Sequence, residues 1–200
     1  MIQKNKKYFV VIFTLFMLML TGRSQAQELT GEERFVSFEG IYLRPLGVFG
    51  QEWKSGSGVY AGYVLPLDRQ NYLPMRIGVI TLNHNSSYKK DASFTIIPLH
   101  FGIRYLFLNS RFTPFVEVMN GINLIHETVD LTGRDNKRYL VRYFWQAATG
   151  LAVPLSDRLD LSIGARYNAA FYENDKVQYG EKGAMMTAFE YSAGITWDIQ

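Results

Sequence analysis

The segment LDLSIGARYNAAFY, residues 159–172, alternates at almost every position. Leu159, Leu161, Ile163, Ala165, Tyr167, Ala169 and Phe171 fall on one parity. Asp160, Ser162, Gly164, Arg166, Asn168, Ala170 and Tyr172 fall on the other. The last run repeats the pattern: Phe189, Tyr191, Ala193, Ile195, Trp197 and Ile199 alternate with Glu190, Ser192, Gly194, Thr196 and Asp198. A period of two places successive side chains on opposite faces of a strand. Outward from this segment there are eight such runs, at 35–48, 57–66, 73–84, 93–107, 112–126, 139–154, 159–172 and 185–199. Short turns of similar sequence join them at one end: LPLDR at 65–69, FLNSR at 107–111 and VPLSDR at 153–158. Longer loops rich in Lys, Asp, Asn and Gly join them at the other. Short turns on one side and long loops on the other mark a transmembrane β-barrel. Only a closed barrel satisfies the backbone of a sheet inside lipid. The expected fold is all-β, an eight-stranded antiparallel up-and-down transmembrane barrel over residues 35–200.

Which face points inward follows from two features of the polar parity. It carries a glycine in nearly every run: Gly62, Gly78, Gly102, Gly121, Gly150, Gly164 and Gly194. A lumen of eight strands is just wide enough for side chains, so small residues must sit beside large ones. The charges on that parity are carboxylates and Arg, without Lys. Beyond residue 26 the six lysines, at 54, 89, 90, 137, 176 and 182, all fall in the expected long loops. A narrow lumen favours Arg, whose planar fork pairs with carboxylates. The apolar parity is therefore expected to face lipid. Tyr63, Tyr105 and Trp197 sit on it near the short turns, and Tyr139, Tyr143, Trp145 and Phe171 near the long loops. Together they suggest two interfacial aromatic girdles.

The N-terminus reads as a targeting segment. Lys4, Lys6 and Lys7 precede an apolar run from Tyr8 to Leu20, and Ser24-Gln25-Ala26 offers small residues at a cleavage point. Residues 1–26 are the expected Sec signal peptide and 27–34 a short periplasmic lead-in. The first 26 residues hold four basic groups and no acid, so the net charge of +3 falls to −1 after cleavage. A nucleic-acid partner argued from basicity fails. There is no cysteine, which removes a disulfide scaffold and a lipoprotein anchor.

Three stretches carry a family resemblance. They are IPLHFGIRY at 97–105, TPFVEV at 113–118, and LDLSIGARY at 159–167, ending in Gly164-Ala165-Arg166-Tyr167. On these the chain resembles the outer-membrane β-barrel domain family of Gram-negative bacteria, the OmpA/OmpX-like eight-stranded barrels. The resemblance implies outer-membrane residence, contact with lipopolysaccharide and delivery by the barrel-assembly machinery. Such barrels usually end in an aromatic residue; this sequence ends Trp197-Asp198-Ile199-Gln200, a departure from the pattern.

Nine inward positions form an expected lumenal charge network: Glu39, Arg76, Arg104, Glu117, Arg142, Asp160, Arg166, Glu190 and Asp198. Buried charges must be paired, and eight strands leave no open aqueous channel, so the network reads as a structural plug. Arg166 and Glu190 are expected to pair across adjacent strands. The outer half of the inward face is mostly apolar, at Ile80, Leu82, Ile96, Ile125, Leu140, Phe144 and Met186. It reads either as a small core beneath the loops or as a pocket for a hydrophobic molecule. His84-Asn85-Ser86 has the His-x-Ser spacing of lipid A deacylase barrels, without the rest of their motif. The three histidines are scattered, so neither a metal nor a cofactor is expected. The leading expectation is a monomeric barrel with a structural or surface-interaction role, engaging lipopolysaccharide or a protein partner through its loops. Binding or transport of a small hydrophobic molecule is the alternative, and lipid A modification the third.

Overall fold

The computed structural model describes residues 34–85, 92–107, 112–131, 134–170 and 185–199. Eight strands run in chain order: β1 (Phe35–Leu46), β2 (Gly56–Pro66), β3 (Asn71–Asn83), β4 (Ser93–Leu106), β5 (Thr113–Leu131), β6 (Arg134–Ser156), β7 (Leu159–Ala170) and β8 (Met186–Asp198). Each pairs antiparallel with the next, and β8 returns to β1 from Phe35↔Asp198 to Leu46↔Thr187. The sheet is a closed barrel, so no strand is left with an unpaired edge at its centre.

The barrel is inside-out relative to a soluble protein. Phe38, Val59 and Phe101 are 59%, 57% and 57% exposed on the exterior, whereas Glu117 and Glu190 are 1% and 0% exposed within. A water-soluble barrel would reverse those values. Trp197, Tyr139 and Tyr143 lie exposed toward the two ends of the apolar belt, with Tyr63, Tyr105 and Trp145 half-buried on the same face. Phe171, the seventh girdle candidate, lies outside the described residues.

The short turns hold together by local hydrogen bonds. In the β2–β3 turn, Asp68 Oδ1 accepts from the backbone N–H of Gln70 and of Asn71, each at 2.8 Å, and Oδ2 accepts from Asn71 Nδ2 at 2.7 Å. Slight burial works against the Asp68 carboxylate, but these donors win and hold its pKa below the usual value. The β6–β7 turn carries a register irregularity between Pro154 and Ser156.

Two regions differ from expectation. The first run ends two residues early, and the chain then forms a short helix, α1 (Gly47–Glu52). Gly47, at φ +56°, starts it in a conformation that costs a glycine little. Six residues are too few to leave a helical period in the sequence. Pro45 sits inward and opposite Ala188. The second difference is the β5–β6 hairpin. Residues 127–137, expected to be a loop, continue both strands to Leu131 and from Arg134, with Thr128 opposite Lys137. Beyond the apolar belt a hairpin needs no greasy face, so its polar composition resembled a loop.

The expected signal peptide, nearly all of the expected lead-in, and most of the two longest expected loops fall outside the described residues. So do Lys89, Lys90, Lys176 and Lys182, while Lys54 follows α1 in the β1–β2 connection.

Candidate functional site

Six charged side chains from six strands meet in the middle of the lumen. Arg76 on β3 forks onto Glu117 on β5, with Nη1–Oε1 at 2.6 Å and Nη2–Oε2 at 2.8 Å. Arg104 on β4 reaches the same carboxylate, its Nε and Nη2 at 2.9 and 2.8 Å from Oε2. Arg76 Nε lies 2.9 Å from Oε1 of Glu39 on β1. The other oxygen of Glu39 pairs with Arg166 on β7. Arg166 Nη1 then donates to Glu190 Oε1 on β8 at 2.6 Å. The chain Arg104–Glu117–Arg76–Glu39–Arg166–Glu190 alternates in sign and is neutral overall. None of its members is more than 8% exposed. Charges so far from water persist only when paired and hydrogen-bonded.

Neutral groups complete the network. Glu190 Oε2 accepts from the Tyr60 hydroxyl and from Asn168 Nδ2, both at 3.0 Å. Gln146 Nε2 donates to Asn168 Oδ1 at 2.7 Å. Tyr60 points into the lumen, and its register neighbour on β3 is Gly78, where an added Cβ would strike the Tyr60 ring. Gly150 makes the same room for Phe115, over which the Arg104 guanidinium lies at 4.4 Å.

Above the network the lumen is mostly apolar, with Arg142 and Glu127 the buried charges at that level. Ile80, Leu82, Ile96, Ile125 and Met186 form one buried cluster with Ile41, Leu43 and Phe94, and Leu140 packs against it. Phe144 is buried and stacks on His100 at 3.9 Å between ring centroids. His100 Nε2 in turn lies 3.0 Å from Asn123 Oδ1. From α1 and the residues after it, Phe49 and Trp53 close over this cluster, both against Phe94, with centroids at 5.5 and 4.9 Å. A cavity of about 30 Å³ lies between the apolar cluster and the charge network, lined among others by Phe49, Tyr60, His100, Phe144 and Met186. That is room for one or two waters, against roughly 300–1,000 Å³ for a typical ligand pocket.

Of the nine expected network residues, six form the chain above. Arg142 is buried at the level of Asn123, nearer the outer end. Asp160 and Asp198 sit near the short-turn ends of β7 and β8, opposite Pro154 and Phe35. Strand position separates these three from the mid-barrel cluster, although parity alone grouped them with it. Tyr60, Gln146 and Asn168 join the network without a charge to single them out in the sequence. Glu127, beyond the expected end of the fifth run, is also buried inside the barrel. Its parity continues Asn123 and Ile125, and that was the signal available. His84 packs edge-on against Trp53 at 5.1 Å, while Ser86 lies outside the described residues. Among the described residues no group of His, Asp and Glu is arranged to hold a metal.

No family model matches the sequence, and no curated protein matches it. Solved structures do match in fold. Neisserial surface protein A is 16% identical, with a TM-score of 0.58 over 83% of this chain and 97% of that one. The outer membrane protein OprG of Pseudomonas aeruginosa is 10% identical, with a TM-score of 0.58 over 85% and 97%. Ail, the attachment invasion locus protein of Yersinia pestis, is 11% identical, with a TM-score of 0.51 over 84% and 97%. At these identities the likeness is one of architecture, and the architecture is the eight-stranded barrel of bacterial outer membranes.

Proposed function

We propose that the protein resides in the outer membrane of a Gram-negative bacterium as a sealed barrel. Its role is structural or lies in surface interaction through its outer loops and the β5–β6 hairpin. The observation that carries this is the double closure of the lumen, by an electroneutral hydrogen-bonded layer and by an apolar layer above it. A lumen filled in this way leaves the outer connections as the part free to meet lipopolysaccharide or an extracellular partner. Two measurements test the reading. Reconstituted in planar bilayers, the barrel should pass no steady ion current. On intact cells, added protease should cut within residues 127–137 or 174–184. A steady conductance, or cleavage only after the outer membrane is ruptured, would overturn it.

The apolar lining of the small cavity favours a second reading, binding or transport of a small hydrophobic molecule from the outer side. It requires α1 to leave its seat, because Phe49 and Trp53 fill the space a ligand needs. Native mass spectrometry of the purified barrel should then show a bound lipid or apolar metabolite, lost on Phe144→Ser. Lipid A modification at His84 and Ser86 is tested by Ser86→Ala, which must change the lipid A profile of producing cells if the reading holds.

A further inference from the structure

Asn120 places an amide on the lipid-facing wall. The outward residues of β5 run Pro114, Val116, Val118, Asn120, Ile122 and Leu124, which places Asn120 well inside the apolar belt. Its outward neighbours in register are Phe101 on β4 and Trp145 on β6. Thr149, outward on β6, donates its hydroxyl to the Phe115 carbonyl at 3.1 Å and is satisfied. Asn120 is satisfied only in part. Its Oδ1 accepts from the Tyr143 hydroxyl at 2.9 Å, and among the described residues its Nδ2 donates to nothing. An amide carries two N–H donors and an oxygen with two lone pairs. Hydrocarbon offers no acceptor, and an unpaired donor there is costly.

We propose that this wall is the contact surface for a second copy of the chain, with Asn120 meeting Asn120 across a two-fold axis normal to the membrane. Such an axis places the two amides at equal depth, which an unrelated partner or a lipid does not guarantee. Each Nδ2 donates to the other copy's Oδ1, and the second lone pair of that oxygen still accepts from Tyr143. The group is self-complementary, as an isologous contact requires. The surrounding Phe101, Val118, Ile122 and Trp145 are apolar and pack without further polar demands. Asn side chains pair protein segments within membranes by the same chemistry. The monomer expected from a closed barrel then gives way to a dimer. The proposal rests on the membrane-spanning reading of the belt, and insertion is scored separately below.

The chain has no cysteine, so a single introduced thiol reports position without background. Val118 is outward and 56% exposed beside Asn120, while Phe38, 59% exposed on β1, faces the opposite wall. The variants Val118→Cys and Phe38→Cys are each folded into lipid vesicles at high lipid-to-protein ratio and oxidised. Heat-modifiable gel mobility shows in every case that the barrel has inserted and folded. Val118→Cys should crosslink as a dimer and Phe38→Cys should not. Adding Asn120→Leu to Val118→Cys should lower the dimer yield about tenfold, and adding Asn120→Gln should retain most of it. Equal crosslinking at both walls, no crosslinking at either, or a yield indifferent to Asn120→Leu overturns the proposal. Failure to insert would instead count against the membrane-spanning reading itself.

Discussion

The two layers of the lumen exclude water by opposite means. The middle layer is polar and directional. Glu117 serves two guanidiniums, and Glu39 bridges two more contacts, so each charge depends on a named partner. The outer layer is apolar and non-directional: Leu82, Phe94, Trp53 and their neighbours need only be close-packed. Removing one member therefore has different consequences in the two layers. A lost partner in the middle leaves a charge with no water to turn to. A lost side chain in the outer layer leaves a void. In the first case a second, compensating removal restores stability, and in the second it deepens the loss.

The sharpest break of this contrast is at Arg166. Replacing it as Arg166→Leu leaves Glu190 without its cation and Glu39 with Arg76 alone. A loss of about 3–5 kcal/mol is expected, read as an earlier midpoint in urea unfolding from vesicles. The pair Arg166→Leu with Glu190→Leu should recover a large part of that loss. A double variant weaker than the single would show that the two layers respond alike.

The apolar layer is probed at Leu82, which is fully buried. Leu82→Ala should cost about 2–4 kcal/mol in the same assay. Combined with Ile125→Ala it should cost more still, with no rescue. A double variant as stable as wild type would mean that this layer is not tightly packed.

Gly78 tests the seam between the layers. Gly78→Ala drives a methyl group into the Tyr60 ring and disturbs the hydroxyl that serves Glu190. The expected cost is about 1–3 kcal/mol, as for overpacking elsewhere. With Tyr60→Phe already present the added cost should change little, because the clash involves the ring and not the hydroxyl. A cost that vanishes in the Tyr60→Phe background would place it in the hydrogen bond.

The smallest effect is outside the lumen altogether. Asp68 is partly open to water, so its turn is worth at most about 1 kcal/mol. Its folded-state pKa is lowered, so its contribution is present above the ordinary aspartate pKa and is lost as pH falls through the folded value. Asp68→Ala should therefore unfold slightly earlier than wild type at neutral pH, with the gap closing in strong acid. A gap that widens in acid would reverse the assignment.

Much of this layering was legible beforehand, for a physical reason. A lipid-facing wall forces alternation, and Leu159 to Asn168 displays it clearly. The preference for Arg over Lys and the inward glycines disclosed which face was inside. The pairings were harder to read. Arg76 meets Glu117 across 41 residues, and Glu39 meets Arg166 across 127, so barrel closure and strand stagger decide them rather than local pattern. Arg166 with Glu190 was accessible because their strands adjoin. Helix α1 left no signal, since six residues cannot show a period. Tyr60 was hidden because a tyrosine in a strand needs no explanation beyond its propensity.

The six linked charges come from β1, β3, β4, β5, β7 and β8, and this bears on how the barrel is built. A sheet that ends before β7 holds Glu39 with Arg76 but without Arg166. A sheet that reaches β8 without returning to β1 leaves Arg166 with Glu190 but without Glu39. Only ring closure supplies every partner at once. The network thus rewards the finished circle over any arc of it, and a strand out of step by two residues would forfeit the reward. Insertion should accordingly proceed with few long-lived partial barrels, because each of them leaves at least one ion pair of the chain unmade.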